Sequence, residues 1–186
     1  MKRKIKNIIS VLFTLIKFSI IKVFNWGKFH FHPIERFSPK TELDIGKNSM
    51  LLLKKAVRAH SGTKIRVRKN AKLIIGNNTA FNYGCIITCH HEITIGDRAI
   101  FGPNVLVYDH DHDFRTDEGV TEGKYKYGSV EIGNNVWVGA NVVILRDTKI
   151  GDNCVIAAGS IVKGTFPDNT LIVQTRETKV IEYRKI

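Results

Sequence analysis

Aliphatic side chains recur at every sixth position between residues 132 and 162. The positions are Ile132, Val138, Ile144, Ile150, Ile156 and Val162. A helix repeats every 3.6 residues and a strand every two. A period of six therefore indicates one short strand and one corner per unit, stacked into a parallel β-solenoid. The Ile-Gly pair recurs three units apart, at Ile132-Gly133 and Ile150-Gly151, which predicts three sides per coil and a triangular prism.

The repeat marks out the organisation of the chain. It begins near Ile45-Gly46, shifts phase within residues 88–92, and is lost from residue 108 to residue 129, where polar residues, glycines and histidines replace it. We predict a β-helix domain over residues 45–166 with an ejected loop at 108–129, because loops on rigid scaffolds tend to carry function. Residues 31–44, which contain Pro33 and Pro39, are expected to form a connector, and residues 167–186 a C-terminal tail.

Residues 1–30 predict an amphipathic helix. A basic start precedes an apolar run from Ile8 to Phe24, which Lys17 and Lys22 interrupt. On a helical wheel one stripe is polar, with Arg3, Asn7, Ser10, Thr14, Lys17, Asn25 and Lys28. This pattern favours a helix lying in the plane of a membrane surface. Packing on the solenoid or on a neighbouring subunit is the alternative. Lys17 in mid-segment argues against a spanning helix, and no small-residue cleavage site follows, as a signal peptide would require.

Charge and cysteine content narrow the class of protein. The formal net charge of the 186 residues is +12, which raises the question of nucleic-acid binding. The sequence has no recognition helix, zinc finger or RNA-binding aromatic motif, so an anionic membrane or substrate is the expected partner. Cys85, Cys89 and Cys154 are odd in number, and Cys154 is expected to face the core. This favours free thiols in a reducing cytosol over disulfides.

Three segments resemble the hexapeptide-repeat acyltransferases, over roughly residues 43–170. They are Phe101-Gly-Pro-Asn-Val-Leu-Val-Tyr-Asp-His-Asp-His112, Val130-Glu-Ile-Gly-Asn-Asn-Val-Trp-Val-Gly-Ala140 and Ile150-Gly-Asp-Asn-Cys-Val-Ile-Ala-Ala-Gly-Ser160. The pattern is most like that of the maltose and galactoside O-acetyltransferases and their capsule and lipopolysaccharide relatives. The resemblance implies an all-β solenoid in the form of a left-handed parallel β-helix. It also implies a homotrimer with active sites shared between subunits, and acetyl-CoA as the donor.

A sugar hydroxyl needs a general base to attack a thioester, and histidine suits that role at neutral pH. The resemblance aligns His112 with the catalytic base of the family, and His110 is the alternative. If the local backbone is extended, His110 and His112 share one side of it and Asp109, Asp111 and Asp113 the other. Any of these aspartates could orient the imidazole.

The resemblance assigns the other site residues. The Ala140 N–H would stabilise the oxyanion, Gly139 would let the backbone approach the thioester, and Trp137 would flank the pantetheine arm. Ala158 would bind that arm, Lys163 the phosphates of the donor, and Asn82 and Tyr83 the acceptor. We expect Trp137, Gly139, Ala140 and Ala158 to line one groove, with His112 beside it.

We therefore predict a cytoplasmic O-acetyltransferase that modifies a sugar hydroxyl in capsule, O-antigen or exopolysaccharide assembly, at the inner membrane face if the N-terminal helix binds lipid. An amino-sugar N-acetyltransferase is the first alternative. A zinc enzyme similar to the γ-class carbonic anhydrases, built on His90, His91, His110 and His112, is less favoured because the histidine spacing differs; no metal is expected. A scaffold without catalytic activity is the remaining alternative.

Overall fold

The computed structural model describes residues 2–175 and 179–181. One helix, α1 (Lys2–Phe24), precedes a prism of short parallel strands with three flat faces. Successive strands of the chain fall on the three faces in turn, so each circuit adds one rung to every face. The fold is the predicted left-handed β-helix with an N-terminal amphipathic helix.

Each face is a ladder of parallel strands. Face A contains β2 (Arg36–Phe37), β5 (Arg58–Ala59), β8 (Ala80–Phe81), β11 (Ile100–Phe101), β16 (Trp137–Val138), β18 (Val155–Ile156) and β20 (Leu171–Ile172). Face B contains β3 (Glu42–Ile45), β6 (Lys64–Val67), β9 (Ile86–Cys89), β12 (Leu106–Tyr108) and the first halves of β17 (Val143–Ile150) and β19 (Ile161–Phe166). Face C contains β1 (Phe29–His30), β4 (Met50–Leu53), β7 (Lys72–Ile75), β10 (Glu92–Ile95), β15 (Ser129–Ile132) and the second halves of β17 and β19. We name the edges between faces corner AB, corner BC and corner CA.

The six-residue repeat produces the core as predicted. Ile132 lies beside Ile150 in the next rung, three repeat units later in the chain. All six repeat positions from Ile132 to Val162 are at most 3% exposed, and Cys154 is 0% exposed. β-Branched side chains pack well on a pleated surface, so a narrow interior of three facing sheets selects them.

Asparagine makes many of the corners possible. Asn104, Asn135, Asn141 and Asn153 have φ values between 55° and 57°, in the left-handed region that asparagine tolerates better than most residues. Asn135 also donates to Asn153 Oδ1 at 3.0 Å in the next rung. Asparagines thus form a hydrogen-bonded ladder along the prism.

The prism starts before the expected boundary at residue 45. Strands β1, β2 and β3 already form one rung within residues 29–45, where a connector was expected. Phe29 and Phe37 fill the interior of this rung and are both 0% exposed. Aromatic side chains replace the aliphatic ones here, which hid the repeat. The expected tail also contributes a strand, since β20 pairs with β18 on face A.

The chain leaves the prism after Tyr108 and returns at Ser129. In between it forms an antiparallel hairpin of β13 (His110–His112) and β14 (Tyr125–Tyr127), with a 3₁₀ turn at Gly119–Glu122. The hairpin projects from corner BC.

Helix α1 covers the first rung of the prism with its polar side. Thr14 is 1% exposed, and the Phe37 N–H donates to its hydroxyl at 2.9 Å. Phe18 is 0% exposed and makes edge contacts with Phe29, Phe31 and Phe37. By length and composition the segment Asn7–Phe24 could cross a membrane, but packing on the solenoid, one of the two expected roles, is what this structure contains.

Candidate functional site

Corner AB carries a column of residues in equivalent positions. On face A, the register of the strands aligns four residues in successive rungs: Phe81, Phe101, Val138 and Ile156. Two positions further along the chain, Tyr83, Pro103, Ala140 and Ala158 follow the same order. Corner AB therefore brings together the residues expected to bind acceptor, oxyanion and donor.

Two backbone donors on this corner are available to a ligand. Among the residues that the structure describes, the N–H groups of Ala140 and Ala158 have no hydrogen-bond acceptor. Ala158 is exposed and Ala140 half-buried. Unpaired N–H groups pointing from a rigid scaffold suit an oxyanion or an amide-bearing chain such as a pantetheine arm. The expected roles of Ala140 at the oxyanion and Ala158 at the donor arm stay predictions.

Glycine is required at position 139 for a different reason from the expected approach to the thioester. A Cβ atom at residue 139 would lie 2.5 Å from the Ala158 N atom and 2.8 Å from its Cα atom. Glycine is required here because the next rung of the same chain occupies the space of a side chain. The close approach is thus between two rungs.

Trp137 projects from face A beside the corner and is 58% exposed. Its neighbours in the adjacent rungs are Ile100 and Val155, and Ile100 is 51% exposed. An indole on such an apolar strip can contact an alkyl chain or a second protein surface, and its place beside the donor stays a prediction.

The two expected acceptor residues lie two rungs from Ala140. The Asn82 Oδ1 atom accepts from the Tyr83 N–H at 3.1 Å, so part of this amide stabilises the corner itself. Tyr83 is 56% exposed, and its ring lies 4.8 Å from that of His60. The pair forms an aromatic platform of a kind suited to a sugar ring.

The hairpin at corner BC holds both candidate bases. Because β13 is extended, His110 and His112 lie on one side of it, as predicted, opposite Tyr127 and Tyr125 respectively. The His112 ring is exposed and lies 4.7 Å from the Tyr125 ring. The side chain of His110 is 12% exposed, and its ring stacks on that of His90 at 3.8 Å.

Asp109 is the aspartate that contacts a candidate base. Its carboxylate is 0% exposed and accepts from the N–H groups of His90 and His91, both at 2.7 Å. Its Oδ1 atom lies 3.2 Å from His110 Nδ1. Burial raises the pKa of Asp109, but the hydrogen bonds from His110, His90 and His91 outweigh it and hold the pKa below its usual range. The buried carboxylate is therefore ionised and favours the His110 tautomer with a proton on Nδ1.

The other two aspartates point away from the histidines. Asp111 pairs with Arg146 Nε at 2.6 Å, and Asp113 with Lys126 at 3.3 Å. Neither makes a described contact with His112. The expectation that an aspartate orients the imidazole thus holds for His110 and has no counterpart at His112 in a single chain.

Sequence reasoning did not assign functional positions to Tyr125, Tyr127 or Arg146, and it considered His90 only as a metal ligand. Burial, reinforced by the nearby His110, lowers the pKa of His90 to about 4, so this ring is neutral at physiological pH. The alternation of Tyr125 and Tyr127 within the ejected segment was the available signal, because alternating aromatics indicate one face of a strand.

Lys163, expected at the donor phosphates, lies at corner BC. Its Nζ atom is 3.8 Å from the Asp147 carboxylate, which also pairs with Arg146. Lys163 therefore belongs with the hairpin, apart from Ala140 and Ala158.

The expected single groove is divided between two corners in one chain. Ala140, Ala158 and Tyr83 lie at corner AB, whereas His110, His112 and Lys163 lie at corner BC. The five or six residues of face B separate them by about 15–20 Å at ~3.3 Å per residue. His112 and Ala140 of one chain therefore belong to corners at opposite ends of face B.

Metal chemistry has little support in the geometry. Within the described part of the chain, no group of three histidine, cysteine or acidic side chains is arranged to hold a metal ion. Cys85, Cys89 and Cys154 are buried free thiols. Burial, followed by the nearby Asp109 carboxylate, raises the pKa of the Cys89 thiol far above its usual range, so it stays protonated.

Comparison with known proteins supports this reading of the repeat. Residues 129–164 match the model of the bacterial transferase hexapeptide (six repeats) family. The galactoside O-acetyltransferase of Escherichia coli K12 is 38% identical over 97 residues, covering 52% of this chain and 47% of that protein. WbbJ of the same strain, named for O-acetyl transfer in lipopolysaccharide biosynthesis, is 30% identical over 122 residues, covering 60% of this chain and 62% of WbbJ.

A solved structure shares the fold over most of the chain. The N-acyltransferase AntD of Bacillus cereus, solved as a mutant with dTDP and coenzyme A, has a TM-score of 0.65 at 18% identity, covering 87% of this chain and 88% of AntD. At that identity the likeness concerns the fold alone. This chain spans about half the length of the first curated relatives that it matches.

Proposed function

We propose that this chain, a hexapeptide-repeat protein with the left-handed β-helix of the hexapeptide-repeat acetyltransferases, transfers an acetyl group from acetyl-CoA to a sugar hydroxyl. The observation that carries the proposal is corner AB, where the unpaired N–H groups of Ala140 and Ala158 follow Tyr83 along one edge. Ala140 and Ala158 fall in the segment, residues 129–164, that matches the bacterial transferase hexapeptide repeat. The similarity to a galactoside O-acetyltransferase and to WbbJ supports a sugar acceptor in surface polysaccharide assembly.

The reaction needs a base, an oxyanion donor and a path for the proton. His112 takes the proton of the attacking hydroxyl while the new C–O bond forms at the thioester carbonyl. The Ala140 N–H donates to the oxyanion of the tetrahedral intermediate. The intermediate collapses with loss of the CoA thiolate, which takes the proton back from the imidazole. Trp137 flanks the donor arm, and Lys163 at corner BC contacts the donor phosphates.

His110 is the alternative base, and the geometry explains why it competes. The buried Asp109 carboxylate holds the His110 Nδ1 atom, which leaves Nε2 as the basic atom. A histidine oriented by a carboxylate in this way is typical of an activated catalytic base. His112 has the more exposed ring, and it aligns with the catalytic base of the acyltransferase family that this sequence resembles. The two histidines lie on one face of the hairpin, so a substrate that reaches one lies near the other.

The site is completed by a homotrimer. Corner BC of one copy must approach corner AB of the next to bring His112 to Ala140, and a closed cyclic assembly repeats that contact around its axis. The division of the site between two corners supports this arrangement.

The experiment measures CoA release from acetyl-CoA with galactosides, maltose and amino sugars as acceptors. We expect release with a hydroxyl acceptor and an alkali-labile product. An alkali-stable product would indicate an amide, and hence the N-acetyltransferase. Equal release by wild type and His112→Ala with every acceptor would overturn the assigned base.

A further inference from the structure

The outward side of α1 is almost entirely apolar. Ten residues of this outer face are between 40% and 80% exposed: Ile5, Ile8, Ile9, Leu12, Phe13, Ile16, Ile20, Val23, Phe24 and, just beyond the helix, Trp26. Soluble monomers rarely expose a contiguous apolar surface of this size without a partner. We call these ten residues the outer face.

The opposite side of α1 fixes which face is outward. Lys17 Nζ donates to the carbonyl oxygens of Thr41 at 2.7 Å and Pro39 at 3.3 Å, and Phe18 plugs the end of the prism. A helix held by these contacts cannot also cross a bilayer, because crossing would require all its sides to leave the prism. The polar stripe is thus used within the chain, and the apolar side is left for a partner.

The charge around α1 identifies the partner. Residues 1–41 contain nine lysines and arginines and a single acidic residue, Glu35. Glu35 is 1% exposed, and its burial raises its pKa to about 8, so it is largely uncharged at pH 7. The segment therefore has a strongly positive net charge, and its one carboxyl group is buried, so it suits an anionic surface.

A second copy of the chain does not fit the outer face. Two copies placed face to face would bring two segments with nine basic residues each together, and like charges repel. An anionic lipid surface satisfies both properties, since acyl chains accept the apolar side chains and headgroups the basic ones. Trp26 and Phe24 are both 80% exposed, and tryptophan is enriched at membrane interfaces.

We propose that α1 docks in the plane of an anionic lipid surface, with the outer face in the acyl region and the prism standing on the headgroups. The first rung then lies nearest to the membrane and the face A strand β20 farthest from it. The proposal does not depend on the acetyl-transfer reaction.

Vesicle flotation tests this docking with full-length protein. We expect binding to phosphatidylcholine vesicles that contain about one third phosphatidylglycerol, and at least tenfold less binding to phosphatidylcholine alone. The double variant Leu12→Glu, Ile16→Glu should lose binding at least tenfold. The control Leu171→Glu changes a residue that is 65% exposed on β20 and should bind like wild type.

Circular dichroism and melting temperature must first show that both variants fold. Unchanged binding by the double variant, or equal binding to neutral vesicles, would overturn the proposal. A smaller oligomer for the double variant without vesicles would show that the outer face meets another copy. Protein that resists alkaline carbonate extraction would show a spanning helix.

Discussion

The Asp109 carboxylate lies 3.2 Å from His110 Nδ1 and also accepts the N–H groups of His90 and His91. One buried aspartate thus fixes a histidine of the hairpin and the backbone of the corner below it. This corner has two residues between Cys89 and Glu92, where the rung before it has four between Val67 and Lys72. Asp109 therefore links this irregular corner of the repeat to His110, a candidate base on the hairpin.

Replacing Asp109 with alanine should destabilise the fold. The N–H groups of His90 and His91 would lose their acceptor, and an N–H left unpaired away from water costs about 1–3 kcal/mol. Urea denaturation followed by tryptophan fluorescence measures the loss. Asp111→Ala is the matched control, because its pair with Arg146 is largely solvent-exposed and should contribute less than about 1 kcal/mol. Equal effects of the two variants would contradict the role of Asp109.

Ala140→Pro should remove the oxyanion donor while keeping the fold. Pro103 occupies the equivalent corner one rung earlier, so the backbone there already accommodates proline, which lacks an N–H. The rate of CoA release should fall about 10²–10³-fold, and the melting temperature should change little. An active Ala140→Pro enzyme would exclude this N–H from the mechanism.

Mixed oligomers test whether the site is shared. His112→Ala and Ala140→Pro subunits should each be inactive alone. Refolded together in equal amounts, about a quarter of the interfaces in a cyclic assembly should combine an intact His112 with an intact Ala140. Recovery of about that fraction of wild-type activity is expected. No recovery from well-folded mixtures would place both residues in a site within one chain.

Phe18→Ala should weaken attachment of α1 to the prism. The ring is 0% exposed, and its removal leaves a cavity among Phe29, Phe31 and Phe37, at a cost of about 3–5 kcal/mol. Phe24→Ala, at an 80% exposed position, should cost less than about 0.5 kcal/mol. Thermal unfolding of the two variants provides the comparison, and similar melting temperatures would contradict the packing described.

Glu35 should make stability depend on pH. Burial is the main cause that raises its pKa to about 8, and interactions with the backbone of Val57, His32 and Ala56 offset it only in part. The folded state therefore holds a proton that the unfolded state releases above its ordinary pKa. The protonated Glu35 contributes fully to the free energy of unfolding below pH ~4.5. This contribution falls by a few kcal/mol as the pH rises to ~8. Glu35→Gln should flatten this slope in denaturation curves; an unchanged slope would contradict the prediction.

The repeat made the core predictable. The interior of a β-helix accommodates few kinds of side chain, and this chain places an aliphatic one at every sixth residue. The orientation of α1 was not predictable to the same degree. Its polar stripe contains Thr14 and Lys17, whose hydrogen-bonding groups suit water and exposed backbone carbonyls equally, so sequence alone could not assign that side to the prism. The first rung was hidden for a related reason, since Phe29 and Phe37 replace the aliphatic repeat.

The candidate site was predictable in its residues and less so in its arrangement. Ala140 and Ala158 share a corner because they are 18 residues apart, one full circuit of the prism. His112 lies 25 residues before Trp137, but the hairpin that carries it leaves from corner BC. Sequence distance does not reveal the corner from which a loop departs, and so the division of the site became visible only in three dimensions.

Mass spectrometry of surface glycans tests the central claim most directly. Cells lacking the gene are complemented with the wild-type chain or with His112→Ala, and both proteins are checked for equal abundance. We predict an alkali-labile acetyl group on a glycan sugar with the wild type that is absent from the deletion strain and from the His112→Ala strain. Identical glycan acetylation in all three strains would contradict the claim that this protein acetylates a sugar hydroxyl.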